Sequence, residues 1–127
     1  VERSRGLGDV YKRQGKYDDF KLFSQDSFDQ FNFCYFCDKE NRSGVGFDKP
    51  QIEGRHGSTF GGVSSESFGH YGYTGSMAWA DPDKNIIFIF LSNRTYPTRE
   101  NTLLQTSNTR TRSQEIVYKS LIDYKWK

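Results

Sequence analysis

The run FGHYGYTGSMAWADPDKNIIFIFLSNRTYPT, residues 68–98, decides how this chain is read. It opens on a stretch rich in Gly, Tyr and His, turns at DPDKN, and closes on the nearly continuous apolar NIIFIFLSN. A short turn carrying Pro and Asp between two such segments makes them antiparallel neighbours. In GYTGSMAWA the alternation puts Tyr73, Gly75, Met77 and Trp79 on one side of a strand. The IIFIFL segment is apolar at every position, so both of its faces are expected to be covered in the intact protein. Packing alone, however, does not call for His70, Tyr71 and Gly72 in succession.

Upstream, SQDSFDQFNF is expected to form a short helix, with Ser24 as N-cap, Asp26 in the first turn, and Phe28 and Phe31 at helical spacing. FCYFCDKENRSGVGFDKP starts as an aromatic run, turns at KENRSG, resumes as GVGF and stops at Pro50, which reads as a hairpin-like pair. QIEGRHGSTFGGVSSES is Gly- and Ser-rich without periodicity, the signature of a long surface loop. Downstream, RTYPTRENTLLQTSN is a connector punctuated by Pro97. TRTRSQEIVYKSLIDYKW closes the chain as an amphipathic helix. There Thr111 and Gln114 fit a capping box, and Ile116, Val117, Leu121 and Tyr124 form the apolar stripe.

The 127 residues allow at most one domain. The hydrophobic fraction of 34% is low, but aromatics reach 17%, so much of the apolar area lies in a few large rings. Mean hydropathy is −0.83. The net charge of +2 resides entirely in residues 1–14, where Arg3, Arg5, Lys12 and Arg13 face only Glu2 and Asp9. The remainder is formally neutral and offers no electrostatic case for nucleic acid or an anionic membrane. Within those first residues, SRGLGDVYKRQ resembles the translation of a sequencing-library adapter with its transposase end. Residues 1–14 are therefore expected to be adapter-derived and unstructured, and the biological text to begin near Gly15. No run approaches the 18 or so apolar residues that span a bilayer. Cys34 and Cys37 form a lone C-x-x-C with neither the extra ligands of a zinc site nor the strand-to-helix setting of a redox pair. They are expected to be two thiols in an aromatic cluster, and no metal or cofactor is expected. His56 and His70 are the only histidines.

A complete nucleophile site is absent from the sequence: there is no G-x-S-x-G, no S-x-x-K, no Y-x-N and no phosphate-binding Gly loop. Tyr118-Lys119-Ser120 fits a Y-x-S pattern but lies in the closing helix among core positions, and is read as coincidence.

The run at 68–98 resembles the C-terminal part of the serine β-lactamase-like family, which includes class C β-lactamases, penicillin-binding D,D-peptidases and related esterases. In that branch a strand similar to G-H-T-G-F-T-G-T replaces the K-T-G box. A D-P turn, an apolar strand ending near S/T-N-R, a Pro-containing segment and a closing helix follow. LFSQDSFDQF and GVGFD resemble the family's preceding helix and the strand after it. The similarity covers about residues 15–124. It implies an α+β fold, in which antiparallel strands of a partial β-lactamase/transpeptidase-like fold are packed by the C-terminal helix. It also implies that residues 15–127 are the C-terminal portion of a serine hydrolase domain.

The resemblance places His70 at the first position of the box, Tyr71 and Gly72 as substrate-binding neighbours, and the backbone N–H of Tyr73 as an oxyanion donor. The nucleophile Ser and general-base Lys of the family have no counterpart here, so the chain by itself is expected to be inactive. Two departures stand out. His70 replaces Lys, and an imidazole carries no fixed positive charge at neutral pH. Tyr71 replaces a small Thr or Ser, and either change tilts the expected substrate from β-lactams toward a D-amino-acid peptide or an ester. The implied partner is a small-molecule or peptide substrate, and the implied location is the periplasm or cell surface. The alternative reading is a non-catalytic β-lactamase-like domain for recognition or structure, appended to a larger protein such as a glycoside hydrolase.

Overall fold

A computed structural model describes residues 16, 17, 19–39, 41–50 and 59–123. The adapter-like residues 1–14, His56 with residues 51–58 of its loop, and Tyr124 lie outside the described residues. The order of elements is β1 (Lys16–Tyr17), β2 (Phe20–Lys21), α1 (Gln25–Asn32), β3 (Phe68–Tyr71), β4 (Met77–Asp81), β5 (Ile86–Phe90), α2 (Leu103–Thr106) and α3 (Thr109–Asp123). The fold is α+β, built on an antiparallel three-stranded sheet in the order β3-β4-β5.

Register divides the sheet into two faces. Gly69, Trp79 and Phe88 lie side by side, as do Tyr71, Met77 and Phe90, and these rows share the face that meets α3. Trp79 and Met77 are almost completely buried there and form the core with Phe88. A Cβ at position 69 would collide with the Trp79 indole, so glycine is what lets β3 close on β4. The opposite face carries Phe68, Ala80 and Ile87, then His70, Ala78 and Ile89. Here the Phe68 ring meets Phe28 of α1 at 5.3 Å and Phe47 at 4.9 Å. Beyond Phe68 this face is open, with His70 exposed and Ile89 56% exposed.

The DPDKN turn forms as expected: the Asn85 N–H donates to the Pro82 carbonyl at 3.2 Å, with Asn85 in the left-handed region at φ 57°. Ser24 caps α1, its hydroxyl accepting from the Ser27 N–H at 3.1 Å. Four expectations are corrected. GYTGSMAWA is not one strand, because residues 72–76 turn between β3 and β4; Gly75 takes φ +93°, which alternation cannot reveal. The aromatic run at 33–37 is not a strand of a hairpin. The tight reversal is at 42–49 instead, where the Gly44 N–H donates to the Phe47 carbonyl at 2.7 Å and the Lys49 N–H to the Arg42 carbonyl at 2.9 Å. Cys34 and Cys37 are joined in a disulfide that ends at the first residue of the 3-10 turn Cys37–Lys39, rather than standing as thiols. The closing helix starts at Thr109, so Thr111 is inside it and makes no capping box. Its inward residues are Gln114 and Tyr118, both fully buried, while Ile116 is 65% exposed.

Ile89 and Leu91 (81% exposed) place bare apolar surface on and just after β5, whose outer edge no described strand covers. Expressed alone, the chain is expected to associate in a concentration-dependent manner. Sedimentation over a tenfold concentration range checks this, and Ile89→Lys should reduce it. A monomer at all concentrations would contradict it.

Candidate functional site

Because Gly69 is hydrogen-bonded outward to Asp48 (Asp48 N–H to Gly69 O, 2.8 Å; Gly69 N–H to Asp48 O, 3.1 Å), alternation turns the His70 main chain toward β4. Past Tyr71 the chain enters the 72–76 turn. The Gly72 N–H donates to the Ser76 carbonyl at 2.8 Å, and the Gly75 N–H to the Gly72 carbonyl at 2.9 Å. In a trans peptide the N–H points away from the C=O, so anchoring Gly72 O inside the turn directs the Tyr73 N–H outward. Among the described residues that N–H donates to no acceptor.

The residues singled out in the sequence are brought to one end of β3, on two sides. His70 lies on the open face, level with Ala78 and Ile89, and its imidazole forms no hydrogen bond with a described side chain. Tyr71 lies on the opposite face, because successive strand residues alternate. Its ring is half-buried, 5.7 Å from Trp79 and 5.1 Å from the Arg110 guanidinium, so it braces the strand from behind and does not stand beside His70. Gly72 is exposed, and a Cβ there would meet nothing closer than 3.6 Å. Tyr73 is 68% exposed, its ring stacked on Arg94 at 4.8 Å.

At the far end of the sheet from the site, on the face toward α3, lies a polar network with no signature in the sequence pattern. Asp81, fully buried at the end of β4, accepts from the Ser64 hydroxyl at 2.6 Å and the Ser64 N–H at 3.0 Å. It also accepts from the Lys84 N–H at 3.2 Å and the Tyr118 hydroxyl at 3.2 Å. Gln114, one helical turn before Tyr118, accepts from the Phe60 N–H at 3.2 Å. Burial, then the Asp81 charge and the hydrogen bond to it, raise the Tyr118 pKa above its ordinary value of 10.0 and keep the phenol neutral. Asp81 reads in sequence as a turn residue; Ser64, 17 positions earlier, gives no local signal of the pairing.

Lys49 is a further buried ionisable group among the described residues, its ammonium donating to Asn32 Oδ1 at 3.3 Å and to the Glu66 carbonyl at 3.4 Å. Desolvation lowers its pKa, against a smaller opposing effect of Glu66. An apolar cavity of about 260 Å³ lies between α1 and the 44–47 turn, lined by Phe23, Phe28, Phe31 and Phe47 among others. None of the residues at the end of β3 lines it. Among the described residues there is no group of three or more His, Cys, Asp or Glu side chains that could hold a metal, and no helix long and apolar enough to cross a membrane.

Comparison with known proteins yields one finding of family. The model of the family described as Beta-lactamase matches residues 31–109, from the end of α1 through the whole sheet to the first residue of α3. No curated protein and no solved structure matches. The match covers well over half of the chain and includes the exposed end of β3, its turn and the buried Asp81. On that ground the chain belongs to the beta-lactamase family.

Proposed function

We propose that residues 15–127 are the C-terminal, substrate-side part of a serine hydrolase domain that works through an acyl-enzyme. The nucleophile Ser and the general-base Lys lie outside this sequence, which contains no S-x-x-K or Y-x-N. The observation that carries the reading is the Tyr73 N–H, directed outward at the end of an edge strand and without a described acceptor. When a serine adds to a substrate carbonyl, negative charge gathers on the carbonyl oxygen. A main-chain donor already fixed in direction stabilises that charge without reorganising. Gly72, exposed and without a side chain, lets the acyl group lie against the strand.

His70 supplies the polar side chain next to that donor, on the open face where the rest of the domain would meet the sheet. Its ring N–H donates a hydrogen bond to a substrate carboxylate. Tyr71 acts as a brace behind the strand. With an imidazole in place of a lysine ammonium, D-amino-acid peptides and esters fit the site better than β-lactams. The proposed location is the periplasm or cell surface.

The gene itself supplies the first test. The coding sequence immediately upstream of the Gly15 codon is expected to encode an S-x-x-K followed by a Y-x-N; their absence would remove the reading. In the full-length protein, His70→Ala is expected to lower kcat/KM by about tenfold more for substrates bearing a carboxylate than for neutral esters, the worth of one charge-assisted contact. Equal losses on both would make His70 merely structural.

A further inference from the structure

The 72–76 turn is held in an unusually one-sided way. Each of its five carbonyls accepts a hydrogen bond. Gly72 O and Ser76 O are taken within the turn, by the Gly75 and Gly72 N–H groups. The other three are taken from outside it. Tyr73 O accepts from Arg94 Nε at 3.0 Å. Thr74 O accepts from the Arg94 N–H at 2.9 Å and from the Ser92 hydroxyl at 3.1 Å. Gly75 O accepts from Arg110 Nη1 at 3.3 Å.

Arg94 is itself fixed. Its Nη1 donates to the Arg99 carbonyl at 3.1 Å and the Asn101 carbonyl at 3.3 Å. The Gln105 side chain, turned so that its nitrogen meets the Thr102 carbonyl at 3.1 Å, shares the Arg94 Nε–H at 2.9 Å. The planar guanidinium thus ties the turn to the segment leading into α2 while stacking under the Tyr73 ring.

We propose that Arg94, seconded by Arg110, is the positioning residue of the acyl-transfer site. Its main-chain N–H holds the Thr74 carbonyl whatever the side chain, while its guanidinium anchors the Tyr73 carbonyl; the guanidinium thereby fixes the peptide plane that follows the Tyr73 N–H and so holds that donor in direction. The proposal rests on the reading of Tyr73 as oxyanion donor. A lysine cannot replace Arg94, because one ammonium does not span the Tyr73 carbonyl and those of Arg99 and Asn101 in a single plane.

The test uses the full-length protein with Arg94→Ala, Arg94→Lys and Arg110→Ala. Hydrogen exchange is followed at the Gly72 and Gly75 amides, which donate within the turn, and kcat and KM are measured on a neutral ester. In Arg94→Ala, exchange at those two amides should accelerate at least about tenfold and kcat should fall about 30-fold with KM within threefold, the cost of a donor misplaced by a fraction of an ångström. Arg94→Lys should recover less than half of either loss, and Arg110→Ala should show the same signature at smaller size. Arg110→Ala also serves as the working variant if Arg94→Ala does not fold. Unchanged exchange and kcat would overturn the proposal, as would a loss appearing in KM alone or full rescue by lysine. If the wild-type protein turns over no ester, the reading of the site fails by itself. The exchange rates then still decide whether Arg94 holds the turn: acceleration supports the clamp, and no change overturns it.

Discussion

Asp81→Ala is expected to destabilise the folded protein by about 3 kcal/mol, the largest effect of any single substitution considered. One buried carboxylate accepts four hydrogen bonds from Ser64, Lys84 and Tyr118. Removing a buried charged acceptor leaves its donors unpaired at about 1–3 kcal/mol each where water cannot reach them. Ser64 and Lys84 are partly accessible and would recover water, whereas the Tyr118 hydroxyl is fully enclosed. Asp81→Asn keeps the shape but turns an amide NH₂ toward groups that also donate, and should cost about half as much. Urea unfolding of the full-length protein measures both. A midpoint unchanged in Asp81→Ala would show that the network contributes nothing.

The same network sets an alkaline limit. A phenol whose folded pKa is raised above 10.0 contributes stability that is fully present below that pH and is lost as pH rises beyond it, since the unfolded chain ionises first. Tyr118→Phe should therefore flatten the fall in stability above pH 10, while costing some stability at neutral pH.

Gly72→Ala should leave the fold intact and lower kcat/KM by about a hundredfold, as expected when a reacting carbonyl is displaced by about 1 Å. Ordinarily a glycine substitution confuses structural and functional damage. Here the two separate, because a Cβ at position 72 meets only Ser76 and Thr74 atoms at ordinary contact distance, 3.6 Å and beyond. Gly75 provides the contrast: its φ of +93° disfavours any side chain, and a Cβ would lie 2.7 Å from the Ser92 hydroxyl and against Leu104. Gly75→Ala should thus lose stability and activity together. If Gly72→Ala keeps both full stability and full activity, substrate does not lie against this strand.

The exposed end of β3 was legible because it is local. The succession His70, Tyr71, Gly72, Tyr73, the DPDKN turn and the β-branched run are all contiguous, and their spacing is the geometry. Capping by Ser24 was legible for the same reason, since its acceptor and donor are three residues apart. The internal turn at 72–76 was hidden, because alternation of small and aromatic residues looks the same in a strand as in a turn between two strands. Placing Tyr71 behind the sheet followed from that same period of two once the strand boundaries were known.

The sequence by itself determined the family's strand, turn and strand, the residues at its exposed end, and the short helix before it. Tertiary structure alone decided the interior. The apolar stripe expected on the closing helix is largely outward-facing, and the residues it buries are Gln114 and Tyr118. A hydrophobicity pattern discounts such polar side chains. The Phe60 N–H, which donates to the Gln114 carbonyl oxygen, and Asp81, which accepts from the Tyr118 hydroxyl, are both distant in sequence and offset the cost of that burial. Arg94 likewise reads as a connector charge until the turn's carbonyls converge on it. Hydrogen bonding between residues far apart in the chain has no period, so only the folded arrangement could disclose it.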